Sequence, residues 1–283
     1  MKKTSNIFKL ALPALLAIAG IAFAGCGGGT PAQDQGQSIS VGGSTSVTPL
    51  MEQFLGAFNQ LHPDITITVS GTGSGDGIRG AGDGIHDIGM SSRALAPAEL
   101  GLGLNPTVVA IDGIALVLHN ASPISNLTMQ QVRDIYTGAI TNWEQLGEAA
   151  NGKSGGIAVI SREPGSGTRG AFQEIIEFSD AQLAVHANIL DGQGAVRAGV
   201  AGNPSAIGYI SIGAVDGSVR AVSIGGYAPT EENIRAGSYA IARPFILITR
   251  HGHTPSPAAQ SFLDWVLSDA GQAIVGINYV RVN

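Results

Sequence analysis

Three times in this chain a short apolar run gives way to a cluster of glycine and hydroxyl residues and then to a helical pattern: GGSTSVTPL at 42–50, GTGSGDGIRG at 71–80 and REPGSGTRG at 162–170. Each reads as a strand-to-helix junction. Glycine lets the backbone come close to a ligand, the hydroxyls can donate, and the first turn of a helix leaves its amides without intrahelical partners. That chemistry suits an oxyanion. Repeated junctions of one kind also constrain the chain to a fold in which several helix N-termini converge.

The pattern around the junctions alternates. SISV and ITITVSG read as strands, and residues 49–61 place Leu50, Phe54, Phe58 and Leu61 on one helical face, with Thr48 as N-cap and Pro49 at the first helical position. HDIGMSS and TVVAIDGIALVLH read as further strands. LTMQQVRDIYTGAITNWEQLG reads as a helix opened by a Thr128/Gln131 capping box, then a compact turn around Trp143. GIAVISR feeds the third junction, after which Phe172, Ile175 and Ile176 mark a helix face, and PAAQSFLDWVLSDAGQAIV is a last helical pattern. Alternation of this kind predicts an α/β protein with mostly parallel sheets and a ligand at the strand C-terminal ends. The 283 residues are enough for two lobes with proper cores, which is the expected organisation.

The chain opens MKKTSNIFKLALPALLAIAGIAFAGC, with Lys2, Lys3 and Lys9 ahead of an apolar run at 11–24 that is too short for a typical membrane span. Residues 1–25 therefore read as a secretory signal peptide. The single cysteine, Cys26, follows FAG and resembles the lipobox cysteine of bacterial lipoproteins, with Phe23 where leucine is more usual. That resemblance implies lipidation of Cys26 as the mature N-terminus; the other reading is a secreted protein with a free thiol. Residues 26–38, rich in glycine and small polar residues, read as a flexible tether. One cysteine implies no disulfide framework.

Lys and Arg number 15 against 21 Asp and Glu, and removal of the three signal-peptide lysines leaves 12 against 21, near −9. A basic nucleic-acid footprint is absent. An anion must then be held by aimed donors rather than by bulk charge. Charge-assisted hydrogen bonds net about 1.5–3 kcal/mol each, so four or five suffice for the roughly 8 kcal/mol of micromolar binding after ordering costs. Arg162 or Arg169 would supply the strong positive charge. Taken singly, each cluster also reads as turn and cap residues, and Arg79 and Arg93 read as surface or packing side chains.

Other chemistry is less well supported by the sequence. GDGIRG at 75–80 fits G-x-G-x-x-G, but no acidic residue is clearly placed at the end of the next strand. His251 and His253, beside Gly252 and Pro255, read as a solvent loop rather than a metal site. No cofactor or metal is expected.

GGSTSVTPL, GTGSGDGI, DIGMSSR, LTMQQVRDIYTGAITNWEQLG, SREPGSGTRGAF, AIGYI and YAIARPFILIT stand in the order found in the periplasmic phosphate-binding proteins of phosphate ABC importers, and the chain resembles that family over nearly its whole mature length. IYTGAITNW and REPGSGTR are the specific stretches. The resemblance implies a type II periplasmic-binding-protein fold, two lobes around a ligand cleft, joined by crossing segments near Asp112 and Pro244. Lobe I would hold 39–112 plus 245–283 and lobe II 113–244. The phosphate contacts it implies are Ser46, the amide of Val47, Ser74, Arg162, Ser166, Gly167 and Thr168. Ser92 stands where some members carry an aspartate that accepts the phosphate proton; a hydroxyl can accept that bond but has no charge with which to repel sulfate. Asp76 is the nearest other acceptor in sequence or a helix cap, and Glu163 would orient Arg162 or Arg169.

The function implied is capture of inorganic phosphate and its delivery to a membrane ABC permease, without catalysis, by a monomer. It would be exported and lipid-anchored to the outer face of the cell membrane, or periplasmic. The competing readings are a receptor for another tetrahedral oxyanion (sulfate, molybdate or arsenate), a phosphate sensor, and a phosphatase or phosphotransferase on the same cleft.

Overall fold

Sixteen consecutive residues of one strand, Leu104–His119, organise the computed structural model, which describes residues 37–283. The strands are β1 Gln37–Gly43, β2 Ile65–Gly71, β3 Ile88–Ser91, β4 Leu104–His119, β5 Asn126–Leu127, β6 Ala158–Arg162, β7 Asn188–Leu190, β8 Ala206–Ser211, β9 Val219–Ala221, β10 Ser223–Ile224 and β11 Ala242–Arg250. The α-helices are α1 Thr48–Leu61, α2 Ser74–Asp83, α3 Met129–Thr137, α4 Gly167–Ile176, α5 Gly192–Ala201, α6 Glu231–Arg235, α7 Pro257–Leu267 and α8 Asp269–Val275. Short 3₁₀ turns fill several of the connections.

Among these residues the main sheet runs β2-β1-β3-β11-β4-β8-β6-β7, with β9 also on β4. β1 is parallel to β2 and β3, and β6 to β7 and β8, as the alternation predicts. β4 and β11 are antiparallel to their neighbours, so the sheet is mixed rather than mostly parallel. β4 changes partner along its length: 104–113 pair with β11, and 114–118 pair with β8. β11 begins where that change occurs, with Ala242 opposite Gly113.

Two large apolar clusters lie on either side of this change of partner. One gathers Ile39, Val41, Leu50, Phe54, Phe58, Met90, Phe245 and Phe262 from β1, α1, β3, β11 and α7. The other gathers Leu116, Val132, Tyr136, Trp143, Phe172 and Tyr209. α1 buries Leu50, Met51, Phe54 and Phe58, a stripe at helical spacing, while Leu61 at its end is exposed. Its N-cap is Val47 and not Thr48, which stands in the helix and donates its hydroxyl to the Ser44 carbonyl at 3.1 Å. The Thr128/Gln131 capping box forms as the sequence indicates. The last helical pattern is two helices, because Ser268 takes an extended conformation, ends α7 and caps α8 from its side chain.

Where β4 and β11 run side by side at the change of partner, Asp112 faces Arg243. Both are buried, and Nε and Nη2 of Arg243 lie 3.0 and 2.9 Å from Asp112 Oδ2. Ser211 of β8 donates to Asp112 Oδ1 at 2.7 Å, and Arg243 Nη1 donates to the Ser92 carbonyl at 3.2 Å. Burial pushes the Asp112 carboxyl up to about 6, even against the charge of Arg243.

Arg243→Met is expected to cost about 3–5 kcal/mol at pH 8, because it leaves a buried carboxylate unpaired. The unfolded carboxyl releases its proton near 3.8 and the native one near 6; without Arg243 the native group holds its proton to still higher pH. Each pH unit by which the native value exceeds the unfolded one costs about 1.4 kcal/mol, so the variant's deficit should open above pH 6 and be small at pH 5. Urea unfolding at both pH values measures it, and equal deficits would show that charge pairing is not what Arg243 contributes.

Candidate functional site

The three glycine and hydroxyl junctions meet. β1 ends in the Ser44-Thr45-Ser46 turn before α1, β2 leads to Ser74 at the start of α2, and β6 ends at Arg162 just before α4. Ser46 Oγ and Thr168 Oγ1 lie 2.7 Å apart, Ser74 and Ser92 Oγ 3.3 Å, and the Gly75 amide donates to the Gly165 carbonyl at 3.0 Å. Ser46, Ser74, Ser92, Arg162, Ser166 and Thr168 are all buried.

The approach depends on missing side chains. A Cβ on Gly167 would stand 2.1 Å from Ser74 Oγ and 2.8 Å from Ser92 Oγ. Gly43 has φ +135, and a Cβ there would stand 2.3 Å from the Met90 carbonyl oxygen, so only glycine lets β1 turn into the site. The G-x-G-x-x-G match at 75–80 lies within α2 rather than in a loop, and its Gly77 packs against the Gly42 and Met90 carbonyls. Gly77 serves helix-on-strand packing, while Gly75 approaches Gly165 and Gly80 the His86 ring.

Arg162 is held rigidly. Its Nε and Nη2 each lie 2.7 Å from the Glu163 carboxylate, Nη2 also donates to Thr45 Oγ1 at 3.0 Å, and its backbone amide donates to Tyr209 Oη. Glu163 also accepts from the Gly192 amide at 3.1 Å. Burial alone would raise Glu163, but the hydrogen bonds and charge of Arg162 outweigh it and hold the carboxyl below its usual value. Arg162 Nη1 is buried with no hydrogen-bond partner among the described residues. A fixed cation with one unspent donor edge, beside the Thr45 hydroxyl and just before the first turn of α4, where Ser166 caps the Arg169 amide, is arranged to take an anionic oxygen.

Other sequence candidates have partners of their own. Arg169 turns away to the Arg162 carbonyl and Asp180, bracing α4 against β6. Asp76 is half-exposed and pairs with Arg79, and Arg93 pairs with Glu99. The Val47 amide donates to the Ser44 carbonyl at 3.1 Å, and its side chain joins the apolar core. His251 bonds Asn105, and no described group of three or more His, Cys, Asp or Glu residues is placed to hold a metal ion. Cys26 lies outside the described residues.

Sequence reasoning missed Gln193, which donates to the Thr45 carbonyl at 3.1 Å and accepts from the Ser211 amide at 3.3 Å. The signal was present: LDGQG is a fourth glycine-bearing strand-to-helix junction, between β7 and α5. Ser44 and Thr45 stood unassigned inside the first cluster.

The PBP superfamily domain model matches residues 28–270. A protein assigned as a phosphate ABC transporter substrate-binding protein, from Clostridium perfringens and solved with bound phosphate, is 44% identical, with a TM-score of 0.84 over 87% of this chain and 100% of that one. An ABC-type phosphate transport receptor from Vibrio cholerae is 34% identical, with a TM-score of 0.71 over 86% of this chain and 99% of that one. The phosphate-binding protein PstS of Borreliella burgdorferi is 28% identical over 253 residues, 86% of this chain and 89% of the relative.

Gly167→Ala is expected to force the starts of α2 and α4 apart and to cost about 1–3 kcal/mol, as overpacking does. Thermal unfolding reads the loss and small-angle scattering the expansion; an unchanged radius of gyration would mean that the contact is relieved locally.

Proposed function

Because the chain belongs to the PBP superfamily and has the type II periplasmic-binding-protein fold of the phosphate transport receptors it resembles, we propose that it binds inorganic phosphate at the converged junctions and delivers it to a membrane ABC permease for uptake. The observation that carries this reading is the Arg162 guanidinium, fixed on two edges by Glu163 and Thr45 and unspent at Nη1, at the convergence of junctions that carry the buried hydroxyls of Ser46, Ser74, Ser92, Ser166 and Thr168. The amides of Gly167 and Thr168 add donors from the first turn of α4.

Phosphate contacts in this reading come from both sides of the β4 partner change. Lobe I comprises 39–112 plus 245–283 and lobe II 113–244, with the crossings near Asp112 and Pro244; the support is the switch of β4 from β11 to β8 and the start of β11 opposite Gly113. Ser46, Ser74 and Ser92 belong to lobe I, and Arg162, Ser166, Gly167 and Thr168 to lobe II. Arriving phosphate completes its donor set only when the lobes close, and the permease reads the closed shape. The protein performs no covalent step and works as a monomer. Cys26 carries a lipid that anchors the exported protein, with 26–38 as tether; the lipobox-like FAGC supports this.

Calorimetric titration of the mature protein, stripped of ligand, is expected to give a phosphate Kd of about 1 μM or tighter. Arg162→Met should weaken it at least ~100-fold, the loss of two charge-assisted bonds at about 1.5 kcal/mol each. Absence of phosphate binding by the wild type would overturn the reading, and turnover of a phosphomonoester would overturn the non-catalytic role. Cys26→Ser, expressed with its leader, should move from the membrane to the soluble fraction; unchanged fractionation would remove the lipid anchor.

A further inference from the structure

Monohydrogen phosphate carries one P–OH and sulfate carries none. A site separates them sharply when an ionised acceptor faces the ligand, because that acceptor binds the proton and repels a bare oxygen. The carboxylates of Glu163, Asp112, Asp180 and Asp76 are each engaged elsewhere. Both oxygens of Glu163 lie on Arg162, and one also takes the Gly192 amide. Asp112 is spent on Arg243 and Ser211, Asp180 on Arg169 and Gln173, and Asp76 faces Arg79 at the surface. Among the buried groups of the three junctions, neutral hydroxyls remain beside the arginines.

Those hydroxyls form a directed chain. The Ser46 amide donates to Ser44 Oγ at 3.2 Å, and Ser44 Oγ donates to Ser92 Oγ at 2.8 Å. The Ser92 amide donates to Ser74 Oγ at 3.1 Å. Ser44 has therefore committed its proton to Ser92, while Ser92 and Ser74 keep theirs. The 3.3 Å contact between those two uses at most one of the two protons. Toward a bare anionic oxygen both can donate. Toward a P–OH, Ser92 can turn its proton onto Ser74 and accept with its remaining lone pair. The pair adapts by rotation and sets no charge against either ligand.

We propose that the Ser44–Ser92–Ser74 chain makes this site a receptor for tetrahedral dianions with or without a proton, hydrogen phosphate, hydrogen arsenate and sulfate alike, with Ser44 positioning the Ser92 hydroxyl. This rests on the phosphate reading above and narrows its selectivity. Ranking then follows the donor set and ligand size rather than protonation. Ser92→Asp would place an ionised acceptor in the site and convert it to one that requires the proton.

The test is calorimetry at pH 7.5 with phosphate, arsenate and sulfate on the stripped wild type, Ser92→Asp and Ser44→Ala. The wild type is expected to bind sulfate within ~100-fold of phosphate, and Ser92→Asp to weaken sulfate at least ~10-fold more than phosphate. Ser44→Ala frees a lone pair on Ser92 and should raise the phosphate-to-sulfate ratio, a change that a general loss of stability does not produce. Micromolar phosphate binding by the wild type with no sulfate heat at millimolar concentration overturns this inference and leaves the proposed function standing. If the wild type binds neither anion, both readings fall.

Discussion

The buried pair of Asp112 and Arg243 is the interaction on which the arrangement depends. Its partners lie on adjacent strands at the point where β4 leaves β11 for β8, and its remaining bonds reach Ser211 on β8 and the carbonyl of Ser92 beyond β3. Two ions withdrawn from water are costly, and an apolar pair of similar volume often serves stability as well or better. What apolar side chains lack is direction. A guanidinium with its donors spread over Asp112 and the Ser92 carbonyl sets the orientation of the peptide that carries the Ser92 hydroxyl, so one ion pair ties the crossing strands to the site.

The site itself is assembled by close backbone approach. Gly43, Gly77 and Gly167 stand where a Cβ would meet neighbouring atoms at under 3 Å. The hydroxyls thereby come within hydrogen-bond distance of one another across elements far apart in sequence, as Ser46 does with Thr168. In a chain of net charge −6 an anion gains little from the overall field. The attraction has to be local, and the arrangement concentrates it: one guanidinium, partly neutralised by Glu163, with neutral donors around it. Neutralisation by Glu163 fixes the guanidinium in place and limits its charge, which leaves discrimination among anions to the hydroxyls.

Much of this was legible without coordinates. Short-range physics writes itself into short stretches, so the junction clusters, the Thr128/Gln131 capping box, the apolar stripe of α1 and the position of Arg162 could be read directly. The misreadings also have local causes. Thr48 looks like an N-cap because Pro49 follows it, but the turn begins one residue earlier, with Thr48 bonded back to Ser44. The last two helices look like one because their apolar spacing barely shifts, whereas Ser268 interrupts the backbone and not the pattern.

By itself the sequence determined an α/β chain with glycine and hydroxyl junctions aimed at an oxyanion, because strand and helix periodicity, turn chemistry and donor type are properties of neighbouring residues. Only the tertiary structure decided which hydroxyl donates to which, that Arg169 turns away while Arg162 keeps a free edge, that Gln193 joins Thr45 to Ser211, and that Glu163 and Asp112 are spent on arginines. The reason is geometric. A hydrogen bond is settled within a few tenths of an ångström between groups as distant as Arg243 and Ser92, 151 residues apart, and no pattern along the chain carries that distance.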